Sequence, residues 1–213
     1  MIINNILSLA ASIIKFFIIF FLIVNSKAEE NNFKQYSNDE GVLSIMYHRF
    51  NENKYPSTNI KMDIFLDHLK LIQSLNYDFI HPIEFQNNFN VPKKQKKILL
   101  TVDDGFSSFY ENAWPLLRKN KIPFILFIST EPVGNSGYMN WDQIREIDKE
   151  SFAVIGHHSH SHEYLIEKKN QEFIKDIEKA NIIFQKKLGY VPQLFSYPFG
   201  EYSEFMRDYI SNN

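Results

Sequence analysis

Two groups of side chains in this sequence have the types and spacing that metal chemistry requires. Two imidazoles three or four residues apart can bind one cation from a turn or a first helical turn. An aspartate from another segment, such as Asp103 or Asp104, would complete a two-histidine, one-carboxylate site that leaves positions open for water and substrate. Four of the seven histidines form a dense cluster: His157, His158, His160 and His162.

The aspartate pair follows a continuous apolar run, Ile98 to Val102, and is closed by Gly105. Such a run predicts a buried strand of a parallel sheet. Because side chains alternate along a strand, we expect Asp103 and Asp104 to point in different directions. One carboxylate could then bind a cation while the other accepts or donates a proton. A solvated Asp-Asp-Gly turn and a surface histidine tract that binds metal adventitiously are the alternatives.

The elements that must position these residues alternate between strand and helix. Amphipathic helices are predicted over 62–75, 107–120 and 170–187, with a further helix that begins at Trp141. No two strands are joined by a two-residue hairpin turn, which predicts an α/β fold with a parallel sheet, either a barrel or an open sheet. The predicted strands are 42–47, 79–80, 98–102, 124–128, 152–155 and 194–197.

The position of the unusual residues favours a site at one rim of this sheet. Parallel barrels carry function at the carboxyl ends of their strands. His48, Asp103-Asp104, the histidine cluster and Pro198-Phe199-Gly200 all follow predicted strands. A glycine motif that would grip phosphate is absent, which disfavours a nucleotide-binding sheet.

Composition narrows the chemistry further. With 213 residues, 44% of them hydrophobic and 23% charged, the chain is long enough for one domain with a substantial core. It has no cysteine, which excludes disulfides, thiolate zinc sites and cysteine nucleophiles. Any metal must therefore be held by histidine, aspartate or glutamate.

The first 28 residues have the pattern of an export signal. Lys15 precedes the apolar run 16–24, and Ser26-Lys27-Ala28 offers small residues at the usual cleavage spacing. The alternative is an uncleaved anchor, since 6–24 is nearly long enough to span a bilayer. We expect residues 29–41 to be a linker and 42–213 to be the catalytic domain of an exported protein, periplasmic or bound to the cell envelope. The membrane would be a partner only through an uncleaved first segment.

Removal of the first 28 residues takes away two lysines and no acidic residue, which leaves 21 basic against 25 acidic residues, a net charge of −4. This mildly acidic balance argues against a nucleic-acid partner.

Three ordered motifs resemble those of a known family. Thr101-Val102-Asp103-Asp104-Gly105, Ile155 to His162, and Ser196-Tyr197-Pro198-Phe199-Gly200 are similar to the first three motifs of the polysaccharide deacetylases, the NodB-homology carbohydrate esterases. The resemblance covers about 42–210. It implies a distorted (β/α) barrel and a divalent metal, usually zinc, with cobalt and iron able to use the same ligands.

The resemblance also implies a role for individual residues. Asp103 corresponds to the general base and Asp104 to a metal ligand. His158 and His162 correspond to the other two ligands, and the backbone N–H of Phe199 to the oxyanion donor. His157 and His160 have no counterpart, and the crowding leaves open a register in which one of them is the ligand.

Two departures from the family pattern affect this interpretation. Ser196 stands where the family usually has an arginine. A branch that acts on poly-N-acetylglucosamine also has a small or aliphatic residue there, and it shares the Met46-Tyr47-His48 segment. By that resemblance His48 is the general acid; a histidine that caps a buried strand is the alternative. The family also continues further after its third motif, so we expect this barrel to lack its last strand or strands.

The implied activity is metal-dependent hydrolysis of N-acetyl groups from an N-acetylglucosamine polysaccharide, such as poly-N-acetylglucosamine, peptidoglycan or a chitin-like polymer, with release of acetate. Tyr138, Trp141 and Tyr197 are candidates to stack on sugar rings, with packing as the alternative role. A carbohydrate-binding relic without activity and a two-histidine, one-carboxylate iron enzyme remain as other hypotheses.

Overall fold

The computed structural model describes residues 42–88 and 96–213, so the predicted export segment 1–28 and linker 29–41 lie outside the described residues. Within these two ranges, no helix has both the length and the apolar character needed to cross a membrane. The strands are β1 (Val42–Tyr47), β2 (Arg49–Phe50), β3 (Asn59–Ile60), β4 (Asp78–Phe79), β5 (Lys97–Val102), β6 (Phe124–Ile128) and β7 (Ala153–His157). The α-helices are α1 (Met62–Ser74), α2 (Pro82–Asn88), α3 (Trp114–Asn120), α4 (Trp141–Asp148), α5 (Asn170–Leu188) and α6 (Glu204–Asn212).

The main sheet is parallel throughout and has the order β1-β5-β6-β7. β1 pairs with β5 along its whole length. On the other side of β5, the short strand β4 pairs with the first two residues, and β6 pairs with the last two. The carboxyl ends of β1, β5, β6 and β7 therefore meet at one rim. This arrangement confirms the predicted α/β fold with a parallel sheet.

β5, β6 and β7 are buried on both sides because both faces of this part of the sheet are covered. All five residues of β6 are buried. Leu126 and Ile128 pack into the larger core beneath the helices, whereas Ile125 and Phe127 belong to a smaller core on the opposite face.

The amphipathic helices pack on this sheet through narrower stripes than the sequence predicted. α1 buries Phe65, Leu69 and Ile72, while Leu66 and Leu75 are exposed. In α5 the buried face is formed by Phe173, Ile177, Ala180 and Phe184. Ile182, which was expected on this face, is 69% exposed, because its position lies on the other side of the helix from that stripe.

Two predicted elements differ in the structure. The segment 107–120 is not one α-helix, since a π-helical turn over Phe109–Ala113 precedes α3. The segment 194–197 forms no regular strand and joins β7 through a single bridge between Phe195 and His157. Pro192 and Pro198 flank this segment, and neither can donate a hydrogen bond to a sheet.

Gly156 is required by close packing inside the sheet. A Cβ atom at this position would lie 2.3 Å from Cδ1 of Phe127, which is itself buried. We expect Gly156→Ala to lower the free energy of unfolding by about 1–3 kcal/mol, the usual range for overpacking. Thermal unfolding checks this, with Ser151→Ala at the exposed residue before β7 as the control. An unchanged melting temperature for Gly156→Ala would contradict the packing.

Candidate active site

The carboxylate pair Asp103-Asp104 lies at the end of β5. The backbone N–H of Asp103 donates to the carbonyl of Tyr47 at 2.9 Å, which continues the pairing of β5 with β1. Asp104 and Gly105 both have φ of 72°. Aspartate tolerates this left-handed conformation better than most residues, and glycine adopts it freely. The chain therefore turns sharply after Asp103, and the two carboxylates leave the strand in different directions.

Three side chains converge at this rim. Asp104, His158 and His162 each offer one ligand atom, and these atoms all lie within 4.8 Å of one another. Oδ1 of Asp104 is 3.0 Å from Nε2 of His162 and 3.5 Å from Nε2 of His158. The sequence predicted this ligand set, and the structure brings its members together from the ends of β5 and β7.

The donor set fits a divalent cation. Oδ1 of Asp104 is buried, yet it has no partner with hydrogen-bond geometry among the described residues, even though the two imidazole nitrogens lie close to it. A buried carboxylate oxygen without a hydrogen bond is costly. A cation held between this oxygen and the two nitrogens would satisfy all three atoms at once. Two histidines and one carboxylate match a catalytic zinc site that keeps an open position.

His158 is prepared to act as a ligand. Its Nδ1–H donates to the carbonyl of Ser196 at 2.8 Å, which fixes the tautomer and leaves the lone pair on Nε2. Burial lowers the pKa of His158 to about 4, although the nearby carboxylate of Asp104 acts in the opposite direction. The imidazole is therefore neutral near pH 7, the form in which histidine binds a metal.

Asp104 and His162 hold each other in their charged forms. Burial acts to raise the pKa of Asp104, but the contact with His162 and the proximity of His158 outweigh it and lower that pKa overall. In His162 burial acts to lower the pKa, but Asp104 outweighs it and the pKa is raised. A bound cation would replace the proton on His162 as the charge that Asp104 faces.

Asp103 has a different environment from its neighbour. It is 3% exposed, and its Oδ2 lies 3.4 Å from the hydroxyl of Ser196 and 3.9 Å from Nε2 of His158. Its Oδ1 lacks a hydrogen-bond partner among the described residues. Burial, together with the charge of Asp104, raises the pKa of Asp103 to about 7. A carboxylate with a pKa near neutrality is suited to general-base catalysis.

His48 follows β1 directly and is half-buried beside this cluster. Because Tyr47 pairs with Val102, His48 comes next to Asp103 at the rim. Burial lowers the pKa of His48, while the charge of Asp104 favours its protonated form. The predicted general acid, His48, thus follows β1, and the predicted general base, Asp103, follows the neighbouring strand β5.

A cavity of about 630 Å³ borders two of the three converging side chains, Asp104 and His162, and is also lined by Phe199. Phe199 has φ of 62° within the turn Pro198–Gly200. Its ring packs edge-on against the imidazole of His162, with 4.9 Å between centroids. The residue predicted as the oxyanion donor therefore borders the cavity and restrains a predicted ligand.

Only one of the three aromatic residues predicted to contact sugar borders this cavity. Tyr138 lines it and packs against Phe106, with 4.9 Å between ring centroids. Tyr197 lines a different cavity, next to His157, and stacks on Tyr202. Trp141 packs edge-on against Phe184 of α5. Packing against other aromatic residues decides these directions, and the sequence pattern does not show which residues pair.

One wall of the cavity contains residues that the sequence did not predict as part of the site. The guanidinium of Arg49 lies 3.4 Å from the ring centroid of Phe106 and 4.3 Å from that of Tyr55. Its Nη1 also donates to both carboxylate oxygens of Glu52. Tyr55, Arg49, Phe106 and Tyr138 thus form a continuous layered wall. The signal in the sequence was the position of Arg49 beside His48 at the end of β1.

His157 and His160 lie outside the converging group and contact other residues. Nδ1 of His157 accepts the N–H of Ser159, and its Nε2 lies 3.1 Å from Oδ1 of Asn181. Burial lowers the pKa of His157 to about 4, so it is neutral. His160 is buried with its Nδ1 2.7 Å from the hydroxyl of Thr130. Neither residue belongs to the converging group.

Comparison with known proteins identifies the class to which this fold and site belong. A profile of the polysaccharide deacetylase family matches residues 90–213. This range is more than half of the chain, so the protein belongs to the polysaccharide deacetylase family, as its three motifs predicted.

Individual relatives are more distant. The poly-β-1,6-N-acetyl-D-glucosamine N-deacetylase of Staphylococcus aureus (strain MSSA476) is 24% identical and aligns with 76% of this chain. The chain spans 66% of that relative and 57% of YxkH from Bacillus subtilis (strain 168), which is also 24% identical.

Solved structures support the fold. IcaB from Ammonifex degensii superposes with a TM-score of 0.74 and 25% identity, covering 81% of this chain and 80% of IcaB. The deacetylase PplD of Streptococcus pyogenes gives a TM-score of 0.69 at 20% identity, with 80% and 79% coverage. The predicted NodB-type architecture is therefore confirmed.

Proposed function

We propose that this protein removes N-acetyl groups from an N-acetylglucosamine polysaccharide by metal-dependent hydrolysis. The observation that carries the proposal is the convergence of the buried Oδ1 of Asp104 with Nε2 of His158 and Nε2 of His162. The buried Asp103 stands beside this group as a separate carboxylate. The ligands of the cation are Asp104, His158 and His162, and zinc is the first metal to test, followed by cobalt and iron.

The residues divide the reaction between them. A divalent cation would polarise the acetyl carbonyl and make a nearby water more acidic. Asp103 takes a proton from the attacking water, a role that its raised pKa suits. The N–H of Phe199 stabilises the charge that develops on the carbonyl oxygen. His48 donates a proton to the departing glucosamine nitrogen, and acetate is released.

The cavity over the site supports a glycan as the substrate. It opens to the surface at the rim, and the layered wall of Tyr55, Arg49, Phe106 and Tyr138 runs along one side. Aromatic faces and a stacked guanidinium offer flat surfaces for a sugar ring. The relatives from Staphylococcus are named for poly-β-1,6-N-acetyl-D-glucosamine, so this polymer is the first substrate to test, ahead of peptidoglycan and chitin oligomers.

Acetate release tests the function directly. Purified protein with zinc should release acetate from at least one of the three glycans without consuming oxygen. A chelator should abolish the release, and added zinc or cobalt should restore it, because the cation supplies most of the charge stabilisation. Activity that survives complete metal removal would contradict the proposal.

The same measurement separates the other hypotheses. Turnover that requires oxygen would favour a two-histidine, one-carboxylate iron enzyme. Binding of the acetylated glycan without any acetate release would favour a relic that keeps only the binding surface. Export through residues 1–28 is part of the proposal, and the N-terminal sequence of the secreted protein tests it.

Tyr138 provides a test of whether the layered wall binds the glycan. We expect Tyr138→Ala to raise KM by about 5- to 10-fold through loss of one aromatic contact worth about 1 kcal/mol, with a smaller change in kcat. Steady-state kinetics on the best glycan checks this. Trp141→Phe, which keeps an aromatic ring outside the cavity, is the control and should leave KM unchanged. Equal KM values for Tyr138→Ala and the wild type would show that Tyr138 does not contribute to glycan binding.

A further inference from the structure

The segment that connects the two histidine ligands has an unfavourable backbone. Ser159 has φ of 68° and His162 has φ of 54°, although neither is a glycine. Residues in this left-handed region cost free energy and persist only where the surroundings hold them in place. Something outside the segment must therefore fix the spacing between His158 and His162.

Asp176 of α5 provides the charged contact that holds this segment. Its Oδ1 accepts the N–H of His160 at 2.7 Å, and its Oδ2 accepts the N–H of Ser161 at 3.0 Å. One carboxylate thus binds two consecutive peptide groups between the ligands. Hydrogen bonds to a carboxylate are stronger than those between neutral groups, so Asp176 is a strong restraint on the backbone.

The other hydrogen bonds of the segment's backbone come from neutral groups. The N–H of His162 donates to the hydroxyl of Ser159, which lies within the segment itself. On the side of β6, the carbonyl of Ser159 accepts the N–H of Thr130 at 3.3 Å, and the carbonyl of His160 accepts that of Glu131 at 2.9 Å. These contacts leave the N–H groups of His160 and Ser161 to Asp176.

We propose that Asp176 is a positioning residue for metal binding, acting through the backbone of 160–161 to hold His158 and His162 at the separation that one cation requires. The inference rests on the proposed metal site. Asp176 is neither one of the three converging side chains nor a residue that lines the cavity, so its effect on the cation would come through the backbone that it holds. Outer partners of this kind change metal affinity by about 10- to 100-fold when they are removed.

Calorimetric titration of the metal-free protein with zinc tests the proposal. Asp176→Ala removes both acceptors and should weaken zinc binding by about 10- to 100-fold. Asp176→Asn keeps one acceptor oxygen and should fall between Ala and the wild type. Glu178→Gln changes the charge of the same helix at an exposed position and should bind zinc like the wild type. Loading each variant with cobalt adds a spectroscopic signature, because the visible bands of cobalt report the ligand geometry.

The outcomes distinguish this inference from the proposed function. If the wild type and Glu178→Gln bind zinc and both Asp176 variants bind it equally well with unchanged cobalt spectra, the positioning role is wrong. If the wild type itself does not bind zinc, the proposed metal site is wrong. Denaturant unfolding of the metal-free variants separates positioning from stability: a lower affinity in Asp176→Asn with an unchanged unfolding midpoint supports positioning, whereas a loss that merely follows unfolding overturns it.

Discussion

Replacement of Asp104 with asparagine is expected to abolish metal binding and deacetylation together. The substitution keeps the size of the side chain but removes the charge at Oδ1, the atom that lies 3.0 Å and 3.5 Å from the two imidazole nitrogens. Loss of an outer partner weakens metal binding by up to about 100-fold. Loss of a ligand should weaken it by more than this. Zinc content after dialysis and acetate release are the two measurements.

Substitutions at the histidines give this prediction its controls. His162→Ala should behave like Asp104→Asn, because both remove a converging atom. His160→Asn leaves that group intact and should retain zinc. If His160→Asn loses zinc while His162→Ala keeps it, the ligand register is shifted and the assignment of His162 is wrong.

Replacement of Asp103 with asparagine should separate chemistry from metal binding. We expect kcat to fall by about 10²- to 10⁴-fold, the usual contribution of a general base, while one zinc ion per chain is retained. An amide cannot take the proton from water, but Asp103 is not one of the three converging side chains. Single-turnover acetate release and zinc content measured on the same sample check both parts.

Asp142→Asn is the matched control for this substitution. It makes the same chemical change at an exposed residue of α4, whose side chain is 87% accessible, and should leave kcat unchanged. Wild-type turnover by Asp103→Asn would contradict the role of Asp103 as base. Loss of zinc in Asp103→Asn would instead make Asp103 part of the metal site.

The main features of the fold were predictable because they depend on local patterns. Apolar runs such as Phe124 to Ile128 predicted buried strands, and the absence of hairpin turns predicted a parallel sheet. Once the strands are parallel, their carboxyl ends share a rim, so the proximity of Asp104 to the histidine cluster follows from topology. The family motifs then supplied roles that spacing alone left open.

The features that were missed depend on contacts that the sequence pattern does not specify. The sequence left His157 and His160 without a role and open as alternative ligands, whereas the structure shows that they contact Asn181 and Thr130. The direction of Tyr197 depends on its packing against Tyr202. Ile182 was assigned to the buried face of α5 because it is apolar, although the stripe that packs lies on the other side.

The convergence of Asp104 with His158 and His162 also bears on how long the protein survives once it is made. A cation held by these side chains joins the end of β5 to the segment after β7, regions that are distant along the chain. Binding to the folded state alone would add about 2.7 kcal/mol to its stability at a free metal concentration of one hundred times Kd. The supply of the cation would then set the resistance of the domain to proteolysis as well as its activity, so that metal starvation shortens its lifetime.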